Sequence, residues 1–268
     1  TYTVVETGSG IDEANSDYAD DILSDGKDQT ASGYVQDMAG WRAEASIADI
    51  DVDTTPPTIT VTRTPRPNEA GWNNENVTVE FNAQDALSGI DTETGDTPVV
   101  FTTEGAGQEA TYTATDLAGN TASVTEVVNI DKTPPVITAA RTPEPNLNGW
   151  NNEAVTATYT AEDILSGLDA NSPPEGTYIF DTEGEAQSHT FTVADLAGNT
   201  SSATIDNVNI DTTPPEITVT TSATANDNDW YNEPVTYTYT ATDTLSGIDT
   251  DASDLAEDVF DTEGANQI

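Results

Sequence analysis

The stretch Asp53-Thr54-Thr55-Pro56-Pro57 decides the fold, because the sequence uses it again at a fixed distance. It recurs as Asp131-Lys132-Thr133-Pro134-Pro135 and as Asp211-Thr212-Thr213-Pro214-Pro215, first 78 and then 80 residues further along the chain. A fixed period of this length is the signature of a protein built from repeated modules. We therefore interpret the residues between two such runs as one module.

Three further signatures keep the same order and spacing between these runs. They are Gly71-Trp72-Asn73-Asn74-Glu75, Leu87-Ser88-Gly89-Ile90-Asp91 and Asp116-Leu117-Ala118-Gly119-Asn120. Looser copies of the last two lie at Gly8 to Asp12 and at Asp37 to Gly40. In the following module the three signatures return at Gly149 to Glu153, Leu165 to Asp169 and Asp195 to Asn199.

The segments between the signatures alternate in the way that β-strands do. Val77, Val79 and Phe81 share one face, while Thr78 and Glu80 share the other. Alternation with period two, broken by turns rich in Gly, Pro and Asn, predicts short antiparallel strands, and no stretch shows a sustained helical period. Modules of about 80 residues made of such strands are typical of small β-sandwiches. We expect an all-β fold of immunoglobulin-like modules.

The signatures resemble those of extracellular bacterial and archaeal immunoglobulin-like repeats, which carry the runs D-x-T-P-P, G-W-x-N, A-x-D-x-x-S-G and D-x-A-G-N. The resemblance covers essentially the whole chain. It implies tandem antiparallel β-sandwich modules in an extended rod, an extracellular location at the cell surface, and no reaction. Such repeats occur in surface adhesins, S-layer-type proteins, filaments and the stalks of secreted enzymes. Residues 1–53 depart most, with Glu6 for Asp, Gly8 for Leu and Trp41 for Asn.

The period predicts two complete modules, 54–131 and 132–211, between incomplete modules at 1–53 and 212–268. Thr1 aligns with Thr238, inside a strand, so we expect the first module to lack an opening strand and the last, which stops at Ile268, to lack a closing hairpin. Exposed strand edges are costly, so they require cover. The cover is either continuing chain or a strand from a neighbouring subunit, equivalent to Thr58–Thr64 or to Thr111–Ile130.

Composition excludes several classes of partner. The chain has 49 Asp and Glu against 6 Lys and Arg, giving a formal net charge of -43, so nucleic acid and anionic membranes are poor partners. No apolar run is long enough to span a bilayer, and there is no Cys for a disulfide. Surfaces this acidic suit either molar salt or surroundings rich in calcium, and both interpretations stay open.

No arrangement of residues indicates an enzyme. His189 is the only histidine, and only one repeat has it, so we interpret it as an exposed histidine on a strand. Neither a His-Glu-x-x-His motif nor a Gly-rich phosphate loop occurs. Carboxylates are abundant, but no feature singles out two of them as an acid and base pair. We expect no catalytic residue.

Calcium is the one inorganic ligand that the sequence suggests. It prefers several oxygens from carboxylates and backbone carbonyls, and each repeat places two aspartates around a tight turn. Further aspartates lie in the Ala-Gly-Asn turns and in the linkers, which are the Asp-x-Thr-Pro-Pro runs between modules. These aspartates, Asp53 among them, can approach the first ones at the module junction. Alternatively these residues cap turns through their own hydrogen bonds and form a solvated face. The candidate ligands are Asp85, Asp91, Asp116, Asp131, Asp163, Asp169, Asp195, Asp211, Asp243 and Asp249.

Other repeated residues leave two functions open. Trp72, Trp150 and Trp230 either close the end of a sandwich core or form a stacking platform for sugars. Asn76 and Asn199 begin N-glycosylation sequons. The first hypothesis is a structural, non-catalytic repeat segment of a cell-surface filament, stalk or adhesin, which associates with neighbouring modules or subunits. The alternative is a set of accessory modules that bind a glycan or a receptor.

Overall fold

The computed structural model describes residue 5, residues 7, 8 and 10–17, and residues 23–261. Strands make up 54% of the structure, and the one short helical segment described is a 3-10 turn at Glu13–Asn15. The chain divides into two compact units, Thr1–Thr133 and Pro134–Ile268. The all-β prediction is therefore confirmed, while the module boundaries stay predictions. Among the described residues, no helix has the length and apolar character needed to cross a membrane.

The first unit consists of a hairpin followed by two three-stranded antiparallel sheets. The hairpin pairs β1 with β2, and the sheets have the orders β3-β4-β6 and β5-β7-β8. The strands are β1 (Gly26–Gln36), β2 (Arg42–Val52), β3 (Thr58–Thr64), β4 (Val77–Gln84), β5 (Ile90–Thr94), β6 (Val99–Phe101), β7 (Gly105–Asp116) and β8 (Thr121–Ile130).

The second unit consists of two three-stranded sheets with a two-stranded hairpin between them in the chain. It has a sheet β11-β10-β9, a hairpin β12-β13 and a last sheet β14-β15-β16, all antiparallel. The strands are β9 (Val136–Thr142), β10 (Val155–Glu162), β11 (Glu175–Phe180), β12 (Gly184–Ala194), β13 (Thr200–Ile210), β14 (Glu216–Thr221), β15 (Val235–Thr242) and β16 (Asp258–Phe260).

The inward residues of the first two sheets form one core between them. Val77 and Val79 on β4 are fully buried, as are Val128 and Ile130 on β8, and all four belong to the same cluster. Burying a side chain of this size contributes about 1.5–3 kcal/mol, so the alternation read from the sequence is what holds the two sheets face to face. In the second unit the equivalent core pairs Tyr159 with Phe191, their ring centroids 4.8 Å apart.

Threonines line the outer faces of the hairpins. Thr111 and Thr125, opposite each other on β7 and β8, share a hydrogen bond of 2.8 Å between their hydroxyls, and Thr190 and Thr204 do the same in the second unit. Threonine is β-branched and suits a strand, and its hydroxyl is satisfied across the pair. The polar phase of each strand therefore also supports the sheet.

Two side chains differ from the sequence interpretation. His189 lies on β12 as expected but is half-buried, with its ring stacked on that of Tyr178 at 3.8 Å. Trp230 is 57% exposed, so it does not close a core, whereas Trp72 and Trp150 are half-buried. The predicted open edges at Thr1 and Ile268, and Glu6 in the first signature, lie outside the described residues.

Candidate metal centre

Asp85 organises the tight turn of the Ser-Gly signature. Its Oδ1 accepts the backbone N–H of Leu87 at 3.0 Å and of Gly89 at 2.8 Å. Gly89 has a φ of +85°, a backbone conformation that glycine adopts without strain. The repeated Asp-x-x-Ser-Gly spacing is therefore an Asx turn closed by a left-handed glycine.

Asp116 ends β7 and organises the Ala-Gly-Asn turn that leads into β8. The side chain is 1% exposed, and its two oxygens accept the backbone N–H of Asn120 at 2.8 Å and the side-chain amide of Asn120 at 2.9 Å. The same Asn120 amide donates to the backbone carbonyl of Asp53 at 3.1 Å. This turn is thus tied to the linker that precedes β3.

Asp53 joins that linker to the Ser-Gly turn. Its Oδ1 accepts the N–H of Thr55 at 3.0 Å, and its Oδ2 accepts the N–H of Ser88 at 2.9 Å. Hydrogen bonding from Ser88, through the hydroxyl and the backbone, holds the pKa of Asp53 below its ordinary value of 3.8 although burial opposes this. The carboxylate form is therefore the one that the structure favours.

The linker and these two turns bring Asp53, Asp85 and Asp116 together. One carboxylate oxygen from each lies within 4.8 Å of the others, with Asp116 buried and the other two half-buried. Three like charges at this distance repel one another, and N–H donors compensate only part of that charge. Oxygen ligands of this kind are what calcium prefers, and water or backbone carbonyls would have to complete its coordination.

The second unit contains the corresponding linker contact. Ser246 donates its backbone N–H to Oδ2 of Asp211 at 2.9 Å, and Gly247 donates to Oδ1 of Asp243 at 2.7 Å. Hydrogen bonding from the side chain and backbone of Ser246 holds the pKa of Asp211 below 3.8. Asp211 and Asp243 thus occupy the roles of Asp53 and Asp85.

The other aspartates of the same signatures also accept hydrogen bonds in their own turns. Asp131, fully buried in the first unit, accepts the N–H of Thr133 at 3.0 Å. In the second unit, Asp163 accepts the N–H of Gly167 at 2.6 Å, and the buried Asp195 accepts that of Asn199 at 2.8 Å. The capping role therefore recurs in both units among the described residues.

The second aspartate of each predicted pair lies elsewhere. Asp91 is exposed and is not grouped with Asp85 among the described residues. Asp169 accepts the N–H of Asn171 at 2.8 Å, and Asp249 accepts the amide of Asn148 at 3.1 Å. Proximity in the sequence selected these residues, whereas the residues that the fold groups with Asp85 come from the linker and the Ala-Gly-Asn turn, which the sequence analysis also named.

A second set of acidic residues, which the sequence interpretation missed, holds the Thr-Pro-Pro linkers. Asp25 accepts the hydroxyls of Thr54 at 2.8 Å and Thr55 at 2.9 Å, and Glu183 accepts those of Thr212 at 2.6 Å and Thr213 at 2.9 Å. Threonine hydrogen bonds lower the pKa of both carboxyls. The signal in the sequence is an acidic residue followed by Gly just before each long hairpin: Asp25-Gly26, Glu104-Gly105 and Glu183-Gly184.

The two sequons have different surroundings. Asn76 is exposed, and its Oδ1 accepts Nζ of Lys132 at 2.6 Å. Asn199 is half-buried, and its amide donates to Oδ2 of Asp195 at 2.8 Å. Asn199 therefore already serves a turn of the fold.

The fold and these contacts define an all-β protein of several small antiparallel sheets, with linkers anchored by carboxylates. No family model matches the chain. It is 32% identical over 253 aligned positions to hyalin of Strongylocentrotus purpuratus, across 82% of this chain and 20% of hyalin. The chain thus spans about one fifth of that relative. A solved structure from a study of how a 1.5-MDa bacterial ice-binding adhesin is retained on the host cell surface covers 68% of this chain and 74% of its own, with 18% identity and a TM-score of 0.31.

Proposed function

We propose that this chain is a structural, non-catalytic repeat segment of an extracellular cell-surface filament, stalk or adhesin, built from immunoglobulin-like modules. The similarity to hyalin supports an extracellular adhesive protein rich in β-strands. In this role the segment bears mechanical load or sets the distance between other parts of the protein, and its partners are neighbouring modules or subunits.

The observation that carries this proposal is the repeated anchoring of the Thr-Pro-Pro linkers. Asp53 bonds both to the linker itself, through Thr55, and to the turn of the next sheet, through Ser88. Asp25 holds the same linker from the preceding hairpin through Thr54 and Thr55. Proline fixes φ along the linker, so these contacts limit its bending from both sides. A stiff junction is useful to a stalk or filament, and it requires no catalytic residue.

Calcium is part of the proposal at Asp53, Asp85 and Asp116. The three oxygens converge within 4.8 Å on the linker that the junction has to hold. A divalent cation at this position neutralises the repulsion between the three carboxylates, which the turns hold close together. It also connects the Thr-Pro-Pro linker to both turns at once. Binding of this kind stabilises the folded state by RT ln(1 + c/Kd), where c is the free calcium concentration, so the stability rises with the logarithm of that concentration once it exceeds the dissociation constant.

Thermal unfolding of the whole chain tests the calcium site. The starting sample is the chain freed of divalent ions with chelator at low salt. Free calcium added to this sample should raise the unfolding temperature more than magnesium or sodium does at matched ionic strength. Asp85→Asn keeps an oxygen for the N–H groups of Leu87 and Gly89 but removes the charge, so it should lose much of the calcium-dependent rise in the first unit. The control Asp91→Asn removes one charge from an exposed position nearby and should retain the rise.

The outcomes separate the two explanations of the acidity. If unfolding depends on ionic strength alone and both variants respond as the parent does, the aspartates form a halophilic surface and the calcium site is wrong. The structural role is tested separately, by immunogold electron microscopy of the source cells with an antibody against this chain. Label along surface projections is expected, and label confined to the cell interior contradicts the role.

The alternative function is recognition of a glycan or receptor by these modules. The exposed indole of Trp230 favours it, since an accessible ring can stack on a sugar. The half-buried Trp72 and Trp150 do not continue such a platform in the other modules. A glycan array screened with the parent chain and with Trp230→Ala distinguishes this function, because only binding that the substitution abolishes supports it.

A further inference from the structure

The sequon at Asn199 arises from a turn that the fold repeats. Asn199 stands at the last position of the Ala-Gly-Asn turn, where the preceding repeat has Asn120. The turn needs an asparagine there, because the side-chain amide of Asn120 donates both to Asp116 and to the backbone carbonyl of Asp53. The two residues after Asn120 are Thr and Ala, so that copy of the turn forms no sequon. The sequon at Asn199 is therefore a by-product of the turn.

The fold does not require the asparagine at position 76. Its equivalents in the next two repeats are Ala154 and Pro234, neither of which has a side-chain amide. The Val-Thr pair that follows is present in all three repeats and begins a strand, with the valine buried each time. Among these three strands, only β4 is therefore preceded by an asparagine that completes a sequon.

The side-chain nitrogen of Asn76 is available for modification. Asn76 is exposed and lies in the irregular segment just before β4. Its Oδ1 accepts Nζ of Lys132 at 2.6 Å, and Lys132 is held in turn by the backbone carbonyl of Thr102 at 2.7 Å. Among the described residues, Nδ2 of Asn76 makes no hydrogen bond. The contact to Lys132 thus orients the amide without using Nδ2, the atom to which an N-linked glycan is attached.

The side-chain nitrogen of Asn199 is already engaged in the fold. It donates to Oδ2 of Asp195 at 2.8 Å, and the backbone N–H of Asn199 donates to Oδ1 of the same carboxylate, also at 2.8 Å. Asp195 is 2% exposed, so losing the amide of Asn199 would cost a buried charge one of its donors. An enzyme that modifies Nδ2 of Asn199 must therefore open this turn first.

We propose that Asn76 carries an N-linked glycan and that Asn199 does not. The transfer joins Nδ2 to the anomeric carbon of an oligosaccharide supplied on a lipid diphosphate. The bond from that carbon to the diphosphate breaks, the lipid diphosphate leaves, and one amide proton is lost. Oδ1 takes no part in the new bond, so it still accepts Nζ of Lys132. This inference rests on the extracellular location in the proposed function.

Glycosylation of the folded chain in vitro tests the availability of the two sites. The unmodified full chain is incubated with a purified oligosaccharyltransferase and its lipid-linked donor, and each site is quantified by mass spectrometry. Synthetic peptides 70–84 and 193–207 give the rate of each sequon without the fold. Asn76 should react in the chain at a rate close to that of its peptide. Asn199 should react at least roughly tenfold more slowly than its peptide, because its bond to Asp195 has to open first.

Two variants separate the effect of position from that of the motif. Ser201→Thr gives Asn199 the same third residue as Asn76, and Asn199 should still react slowly. Ala154→Asn creates a sequon at the exposed position before β10 that is equivalent to Asn76, and this new site should react as Asn76 does. Fast reaction at Asn199 in the parent or in Ser201→Thr, or no reaction at Asn76 or at the new site, overturns the assignment.

Glycopeptide analysis of the chain isolated from its source cells tests whether the modification is made. The peptide that contains Asn76 should carry the mass of a glycan, and the peptide that contains Asn199 should be unmodified. An unmodified Asn76 or a glycosylated Asn199 contradicts the proposal. If the antibody labels surface projections and Asn76 is unmodified, only this inference fails, whereas label confined to the cell interior contradicts the surface role itself.

Discussion

Replacing Asn73 by Ala should destabilise the first unit far more than the equivalent Asn151→Ala destabilises the second. Both asparagines belong to the repeated Gly-Trp-Asn-Asn-Glu signature and are 5% exposed. Asn73 Oδ1 accepts the guanidinium of Arg63 at 2.5 Å. Asn151 Oδ1 is buried and has no hydrogen-bond partner. One substitution therefore removes a charge-assisted bond, and the other removes an orphaned oxygen.

The magnitude follows from the bonds that each side chain makes. Both amides donate to the carbonyl of a loop residue, Arg66 at 3.1 Å and Glu144 at 3.2 Å, and a neutral bond contributes about 0.5–1.5 kcal/mol. Asn73 makes a further bond to a charged group, which is worth about 1.5–3 kcal/mol. We expect a loss of about 2–4 kcal/mol for Asn73→Ala and about 1 kcal/mol for Asn151→Ala. A difference of about 2 kcal/mol corresponds to roughly a 30-fold change in an opening equilibrium.

Hydrogen exchange measured by mass spectrometry assigns the effect to one unit. Peptides from β7 and β8 should exchange faster in Asn73→Ala, and peptides from β12 and β13 should change much less in Asn151→Ala. A double-mutant cycle with Arg63→Gln checks the cause, since the two substitutions should not be additive if the Arg63–Asn73 bond carries the loss. Equal effects of the two Asn→Ala variants, or strict additivity in the cycle, would refute this reasoning.

Two titrations test the electrostatics. Hydrogen bonding from Ser88 depresses the pKa of Asp53 in the folded state, so the stability that this carboxylate contributes is present above its unfolded pKa near 3.8 and is lost as the pH falls through the lower folded pKa. Asp53→Asn should therefore make the free energy of unfolding in urea depend less on pH below about pH 4, and an unchanged pH dependence contradicts this prediction. Burial, with a hydrogen bond to Glu93, raises the pKa of Tyr112 to about 12. An absorbance titration should therefore show the Tyr112 phenol ionising far above pH 10, and this ionisation should be missing in Tyr112→Phe. The stability that the neutral Tyr112 phenol contributes is lost as the pH rises above 10.

The strands were predictable because their period and their burial follow the same rule. The alternation of Val77, Val79 and Phe81 fixes one face of β4, and a shift of one residue would expose all three. The turns were predictable as well, since Asp85 and Gly89 need a particular backbone geometry whatever surrounds them. Local chemistry therefore sufficed for the elements and for their order in each module.

The grouping of the aspartates depends on contacts between residues distant in sequence. Asp53 and Ser88 are bonded across 35 positions, and Asn120 reaches the Asp53 carbonyl across 67. Spacing alone paired Asp85 with Asp91, because nothing in one strand shows which turn lies beside it. The acidic anchors such as Asp25 escaped notice for the same reason, as their threonine partners lie 29 and 30 residues away.

Turn capping and calcium binding are compatible at the Asp53, Asp85 and Asp116 cluster, although the sequence presents them as alternatives. A carboxylate has about four acceptor positions, and the hydrogen bonds to Asp85 described above reach Oδ1. The turns therefore fix each side chain without using all of its acceptor capacity. A carboxylate already held by backbone N–H groups loses little conformational freedom when a cation binds, so the ordering cost of the site is met in folding. It follows that the modules should stay folded in chelator, and that calcium should raise their stability without creating it.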